Sequence, residues 1–366
     1  MTAPPECLIE SPPAARGSIE RPERMIERPT ESSTTKLADP LSAVLRAVRL
    51  RGVVFFLVDA SSPWVAEASS GAELAPRILP GAQHLIEYHV VKRGTCYGGL
   101  IGQRPIELSQ GDVLVFPRGD AHVMSSAAHL CERRKPGPPA SLDRFLRLAT
   151  ETPPLHITLG GNPPPEVELV CGFLGCDSRP FNPLLETLPR VLHVRAGSAA
   201  ENPYLSSLIA LTVNESNDMR AGSDCMLSRL SELMFIEVVR RYLQTLPQDH
   251  GGWLGGLRDP VVGRALAVLH ARPARAWTLE DLARAACLSR SALAERFKDL
   301  VGQPPMQYLA QWRMQLAAGL LADGHANVSA VATEVGYGSE AAFSRAFKKL
   351  VGVSPAAWRE EQHAAR

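Results

Sequence analysis

The strongest constraint on how this chain folds is an internal repeat in its last third. The run LAERFKDLVGQPP (residues 293–305) recurs as FSRAFKKLVGVSP (residues 343–355), at a constant offset of 50. Upstream, Leu282-Ala283 and Val331-Ala332 correspond at an offset of 49. The one-residue difference falls in the connecting turn, CLS (287–289) against GYGS (336–339). A repeat of this kind requires two copies of one supersecondary unit.

Each copy reads helix–turn–helix. In the first, Thr278 caps a short predicted helix, Leu279–Ala286, with Asp281 as its capping-box partner. Ser289 caps the second, Arg290–Val301. The second copy predicts Val328–Val335, a Gly336-Tyr337-Gly338 turn, and Glu340–Val351 capped by Ser339. Gly302 and Gly352 suit a left-handed C-cap, and Pro305 and Pro355 start the next element. Leu293, Phe297 and Leu300 form an i, i+4, i+7 stripe, as do Phe343, Phe347 and Leu350. These stripes are expected to be core, and the residues between them to face outward.

A helix–turn–helix lays its second helix in the major groove of DNA and reads base edges from its first turns. The positions that would do so are Arg290, Ser291, Ala294, Glu295 and Arg296 in the first copy. In the second they are Glu340, Ala341, Ser344 and Arg345. Arginine pairs with guanine or phosphate, glutamate accepts from the cytosine amino group, and small residues allow close approach. The alternative is that these are merely solvated faces of a helical bundle. Charge bears on the choice. The whole chain is +1, with 39 basic and 38 acidic residues, which excludes a uniformly basic coat protein. By segment, residues 1–38 carry −1, residues 39–256 carry −2, and residues 257–366 carry +4. Two equally spaced copies in the positive segment favour double-stranded DNA as partner.

These residues resemble the AraC/XylS family of bacterial transcription regulators. The pattern is LxxLAxxAxxSxxxLxxxFKxxxGxxP around 279–305, VxxVAxxxGYGSExxFSRAFKxxxGxxP around 328–355, and WRMQLAAGLL (312–321) between them. The resemblance implies two subdomains joined by a helix, Met306–Ala322, each inserting one helix into consecutive major-groove faces. One position departs from it. Related proteins often carry a basic or amide side chain where this chain has Glu295, so the first helix is expected to read bases less conventionally or to contact mainly the backbone.

The N-terminal half has a different grain. After a helix around Leu41–Val48, capped by Asp39 with Pro40 at its first position, come short strand-like runs. The clearest are Val53–Val58, Leu85–Val91, Tyr97–Ile101, Asp112–Phe116, Val167–Phe173 and Val191–Val194. With Gly- and Pro-rich turns between them they predict a sandwich or barrel. Residues 111–122 read GxxxxxPxGxxH, a strand, a Pro-Gly turn and a return strand. This resembles the second cupin motif, and residues 39–195 resemble the cupin-type sensor of one branch of AraC regulators. Metal-binding cupins carry HxH plus Glu in the first motif. Here it reads Glu87-Tyr88-His89, and the downstream Glu is absent. Glu87, His89 and His122 would still supply three ligands. The favoured reading is a dry pocket built around Glu87, His89, Cys96 and His122 that binds a small effector, with no metal and no cofactor. Cysteine offers a further sensing chemistry. Cys171 and Cys176 flank GFLG, and an exposed low-pKa thiol would sense oxidants.

Between the halves, Leu227, Leu230, Leu233, Met234, Ile236, Glu237, Val238 and Tyr242 predict a long helix with a broad apolar face. It buries that face either on its own domain or against a second copy of the chain. Gln248–Gly256 reads as a linker, Arg133–Ser141 as a surface loop, and residues 1–38 as a disordered tail. No stretch approaches the ~20 apolar residues of a membrane span, and the N-terminus has no apolar core of a secretory signal. Seven cysteines, an odd number without CxxC spacing, fit a reduced, cytoplasmic protein.

The expected architecture is α+β and multidomain. A cupin-like β-barrel occupies 39–200, a helical linker with a dimerising role 201–256, and an all-α domain with two helix–turn–helix subdomains 257–366. The expected function is sequence-specific DNA binding modulated by a small effector, by a homodimer that also meets RNA polymerase and has no enzymatic activity. The alternatives are a metal-dependent cupin enzyme or a cysteine redox sensor joined to a DNA-binding domain.

Overall fold

The computed structural model describes residues 39–132, 154–161, 164–195, 203–218, 220–247, 250–324 and 326–364. The segment read as a tail and the loop Arg133–Ser141 lie outside the described residues. The described part opens with α1 (Pro40–Ala47). The Asp39 carboxylate caps it, accepting from the Leu41 amide at 3.1 Å, and Leu41, Val44 and Leu45 form its buried face.

Ten strands follow: β1 (Arg51–Ser61), β2 (Val65–Ala68), β3 (His84–Arg93), β4 (Thr95–Leu100), β5 (Ile106–Ser109), β6 (Val113–Phe116), β7 (His122–Ser125), β8 (Leu155–Gly160), β9 (Val167–Cys176) and β10 (Leu192–Val194). They form a six-stranded sheet ordered β10-β6-β3-β9-β1-β8 and a four-stranded sheet ordered β2-β7-β4-β5. The expected closed barrel is thus corrected to two sheets. Among the described residues no ladder joins one sheet to the other, so the strands bury their alternate faces by stacking. Phe116, Leu114 and Val91 of the larger sheet meet Cys96, Leu108 and Met124 of the smaller one in a shared core.

The other face of the large sheet is covered by helices α5 (Pro203–Asn217) and α6 (Ser223–Thr245), a short α4 (Pro183–Thr187) lying earlier in the chain. The short helices α2 (Gly71–Ile78) and α3 (Ala128–Glu132) pack against β3 and against β4 and β7 respectively. Leu227, Met234 and Val238 of α6 are buried against β1 and its neighbours. The approach is close because β1 carries Gly52, where a Cβ would stand 2.6 Å from the Ser228 carbonyl and the Ser231 side chain. Tyr88 on β3 meets Ser231 by a 2.6 Å hydrogen bond between hydroxyls. Of the two fates for the long helix, packing on its own domain accounts for this stripe. Met226 and Leu233 point away from it and stay exposed.

The last third is helical: α7 (Trp253–Arg258), α8 (Pro260–Ala271), α9 (Leu279–Ala285), α10 (Arg290–Val301), α11 (Pro305–Asp323), α12 (Val328–Glu334), α13 (Glu340–Val351) and α14 (Pro355–Ala364). Within the span read as a linker, α7 forms and Trp253 is buried. Its indole N–H donates to Tyr308 Oη at 2.8 Å, and Tyr308 in turn donates to His270 Nε2 at 2.7 Å. Burial holds His270 near a pKa of about 3, so its imidazole is a neutral acceptor. The Gly-rich composition suggested a spacer, but a tryptophan with a partner for its N–H is a core residue.

The two copies carry the expected caps. Thr278 and Asp281 form a reciprocal capping box, and Ser289 and Ser339 accept from Ala292 and Ala342. Gly302 and Gly352 end α10 and α13 at φ of 85° and 94°, in the left-handed region. The apolar stripes differ from expectation at their third position. Leu293, Phe297, Phe343 and Phe347 are fully buried, but Leu300 is half-buried and Leu350 is 39% exposed. Val351, one residue on, joins the core cluster with Phe343 and Phe347 instead.

The β-sheet region and the helical third share one core. The cluster runs from α1 and the helical face of the large sheet through α6 into α8, α10 and the start of α11. Gln315 of α11 is buried at this junction. Its Oε1 accepts the Phe181 amide at 3.0 Å, and its Nε2 donates to the Ala47 carbonyl at 3.2 Å.

Candidate functional site

The first candidate surface is the outward face of α10 and α13. Capping by Ser289 and Ser339 fixes where each helix begins, and burial of Leu293/Phe297 and Phe343/Phe347 fixes its rotation. Arg290, Ser291, Glu295 and Arg296 are then exposed and Ala294 half-exposed. In the second copy Glu340, Ala341 and Arg345 are exposed and Ser344 half-exposed. All nine expected contact positions therefore lie away from the core.

The two arginines differ. Arg296 is held in a forked ion pair with Asp259, at 2.5 and 3.0 Å to one carboxylate oxygen. The same carboxylate caps α8 through the Val261 and Val262 amides. Arg296 thus ties α10 to the start of α8. Arg345 has no ion-pair partner among the described residues, and Lys348 and Lys349 follow it on the exposed surface of α13. No local signal marks this difference, since Asp259 lies 37 residues from Arg296.

The second candidate site is a cavity of about 90 Å³ between the sheets. The strand pleat builds it. Glu87 and His89, two apart on β3, share one face, while Tyr88 faces α6. Across the ladder, His89 is opposite Cys171 and Glu87 opposite Phe173 on β9. His122 enters from β7 of the other sheet and stacks on Phe116 with ring centroids 3.7 Å apart. Glu87, His89 and His122, expected together, do line one cavity. Cys96, expected with them, does not. It is packed in the core between the sheets, and Cys171 takes the place beside His89.

The hydrogen bonds fix the protonation states. His122 Nδ1 lies 3.0 Å from the Asp120 carbonyl, which can only accept, so Nδ1 carries the proton. Burial pushes the His122 pKa down to about 4, so at neutral pH its Nε2 is an acceptor. His89 Nε2, 2.7 Å away, must then donate, and its Nδ1 accepts from the Cys171 thiol at 2.9 Å. Burial, aided by repulsion from His122, holds His89 well below the usual histidine range. Burial also pushes Glu87 well above the usual carboxylate range and Cys171 well above the usual thiol range. Burial thus favours the neutral form of each group on this polar strip.

This arrangement bears on the alternatives. A metal needs both Nε2 lone pairs aimed at one point, but here one Nε2 bears the hydrogen bonded to the other. The Glu87, His89 and His122 set does not fit a metal ion in this geometry, and no other cluster of such groups does among the described residues. Burial also raises the pKa of Cys131 and Cys176, and that of Cys96 to about 12. Buried protonated thiols are poor nucleophiles, so these four are ill suited to sensing oxidants.

Comparison with known proteins places the chain. Residues 39–244 match the Cupin family, and residues 282–361 match the Helix-turn-helix domain family. A putative AraC-like transcription regulator from Streptomyces lividans is 33% identical over 323 residues, 88% of this chain and 98% of that protein. The HTH-type transcriptional regulator AlkR from Acinetobacter baylyi is 30% identical over 281 residues, 76% of this chain and 89% of that protein. Among solved structures, the DNA-binding domain of AdpA in complex with a target DNA is 32% identical, covering 30% of this chain and 96% of that one, with a TM-score of 0.28. No helix among the described residues is long and apolar enough to cross a membrane. With the cupin match spanning more than half the chain and the AraC-like relative aligned over nearly all of its own length, this chain belongs to the AraC family of DNA-binding transcription regulators, with a cupin domain preceding its helix–turn–helix domain.

Proposed function

We propose that this chain binds promoter DNA through α10 and α13, and that a small effector in the inter-sheet cavity modulates that binding. The observation that carries the reading is the junction between the two sites. The large sheet that bears Glu87 and His89 on its cavity face also bears Tyr88 on its helical face, bonded to α6. From there a single apolar core reaches α10 and α11, and Gln315 clamps α11 to the sensor. Occupancy of the cavity is then felt at the readers if the effector has different affinities for two arrangements of this junction.

Within the reader, α13 supplies sequence selectivity through Arg345, with Lys348 and Lys349 contacting phosphates. The first helix, with Glu295 outward and Arg296 engaged by Asp259, contributes mainly backbone contacts. The chain acts as a homodimer in the cytoplasm. Tyr204 and Leu211 of α5, with Met226 and Leu233 of α6, leave large apolar side chains exposed on the two helices that precede the reader. Apolar exposure of this kind supports pairing with a second copy.

The test is capture of duplexes from sheared genomic DNA by the full chain at physiological salt. A small set of promoter fragments, retained against nonspecific competitor, is expected. Retention indifferent to sequence would overturn the reading.

A further inference from the structure

Three buried polar atoms on the cavity wall have no hydrogen-bond partner among the described residues: Trp64 Nε1, Ser69 Oγ and Glu87 Oε1. Glu87 is 2% exposed, and Trp64 and Ser69 are buried as well. An unpaired buried polar group costs free energy, and native proteins keep few of them. Three on the wall of one cavity point to a ligand that pairs with them.

Their chemistry limits what the ligand is. The rest of the wall is mostly hydrocarbon and aromatic, with Val58, Leu74, Ile157 and Phe173 among its members, and Glu67, His89, His122 and Cys171 are its other polar residues. Among the described residues no lysine or arginine lines it. A carboxylate or phosphate would therefore enter a dry site without a counter-charge. The indole N–H of Trp64 is a donor only, so the ligand must present an acceptor to it. An ammonium ion has none. The two histidines offer nothing further, since His89 and His122 spend all four ring nitrogens on each other, Cys171 and the Asp120 carbonyl.

We infer that the cavity binds an uncharged, mostly apolar molecule carrying an accepting oxygen, a carbonyl or hydroxyl, that pairs with the Trp64 indole N–H. Glu87 takes part through its unpartnered Oε1, and its burial favours the neutral carboxyl form.

This inference rests on the reading of the cavity as the effector site, and one experiment separates the two. Binding of 2-octanone, octane, octanoate and octylamine to the full chain is measured by calorimetry at pH 7. The expected result is that 2-octanone binds about tenfold more tightly than octane, and that octanoate and octylamine bind more weakly than either. Glu87→Gln, which keeps a neutral donor and acceptor, is expected to hold 2-octanone within about threefold of the native chain. Trp64→Phe is expected to remove most of the preference for 2-octanone over octane. Both variants are first checked for a native-like unfolding transition, and the four-probe series on the native chain decides the matter if either fails. Preference for octanoate or octylamine would refute the neutral-ligand inference and leave the cavity as effector site intact. If none of the four binds, both the inference and the effector reading fall, and DNA capture by the chain stands apart as a separate result.

Discussion

Replacing Gln315 by leucine tests the proposed route between sensor and reader. Leucine has nearly the volume of glutamine but neither donates nor accepts. The substitution strands two groups. The Phe181 amide, 3.0 Å from Gln315 Oε1, lies in a buried contact and would be left unsatisfied, at a cost of about 1–3 kcal/mol. The Ala47 carbonyl, 3.2 Å from Gln315 Nε2, is half-buried and can turn to water, so its loss costs about 0.5–1.5 kcal/mol. Together the junction is weakened by about 1.5–4.5 kcal/mol, because leucine packs well enough to add no cavity term. Hydrogen exchange reads this locally. The Phe181 amide should exchange roughly 10- to 1,500-fold faster, at tenfold per 1.4 kcal/mol. Amides in the sheet core, such as Val170, and in α13, such as Phe347, should be unchanged. In the same variant, DNA affinity should lose its response to cavity ligands. Unaltered exchange at Phe181, or equal acceleration throughout, would refute the argument that this side chain clamps the junction.

Arg345→Ala should weaken specific DNA binding by about 1–3 kcal/mol and relax selectivity at one position, whereas Arg296→Ala should leave selectivity unchanged. Competition binding against mismatched duplexes measures both, and a larger selectivity loss from Arg296→Ala would reverse the assignment. Acid should weaken the sensor through His122. Its folded pKa of about 4 lies below the ordinary 6.5, so the unfolded chain takes up the proton first. The stability it contributes is complete above pH 6.5 and is lost as pH falls to 4, by about 3 kcal/mol. Glu87, raised rather than lowered, works in the opposite sense over its own range, so the test is a difference: urea titrations at pH 7.5 and 4 should show a smaller acid loss in His122→Asn than in the native chain. Phe347→Ala removes a fully buried ring packed on Phe343 and Trp358 and should destabilise the second reader by about 3–5 kcal/mol, visible as early melting of α12–α14.

The reader was legible in the sequence because its signals are local. Serine caps, left-handed glycines and phenylalanine spacing each act within one or two turns, and two copies reinforce one another. The boundaries of α10 and α13 coincide with those expected from the caps. The errors came where a distant partner decides. Leu350 carries the same stripe as its repeat mate but loses the core place to Val351. Trp253 looked like part of a spacer until Tyr308, 55 residues away, supplied a partner for its N–H. The cavity was half legible. Glu87 and His89 share a face by the period of two, and the GxxxxxPxGxxH run singled out His122. Which thiol faces them depends on the register of β3 against β9, so the sequence offered Cys96 where the ladder places Cys171. The second sheet was the least visible part. β2, β5 and β7 have four residues each, too few to show alternation, and β7 begins at the histidine that completes the site.

The two copies are expected to read DNA together from one chain. Selection of duplexes from a random library by the full chain, followed by sequencing, measures this. Two helices entering consecutive major-groove faces should enrich two short conserved blocks about 10–10.5 base pairs apart, the block read by α13 being the more strongly specified. Enrichment of one isolated block, or of none, would contradict it.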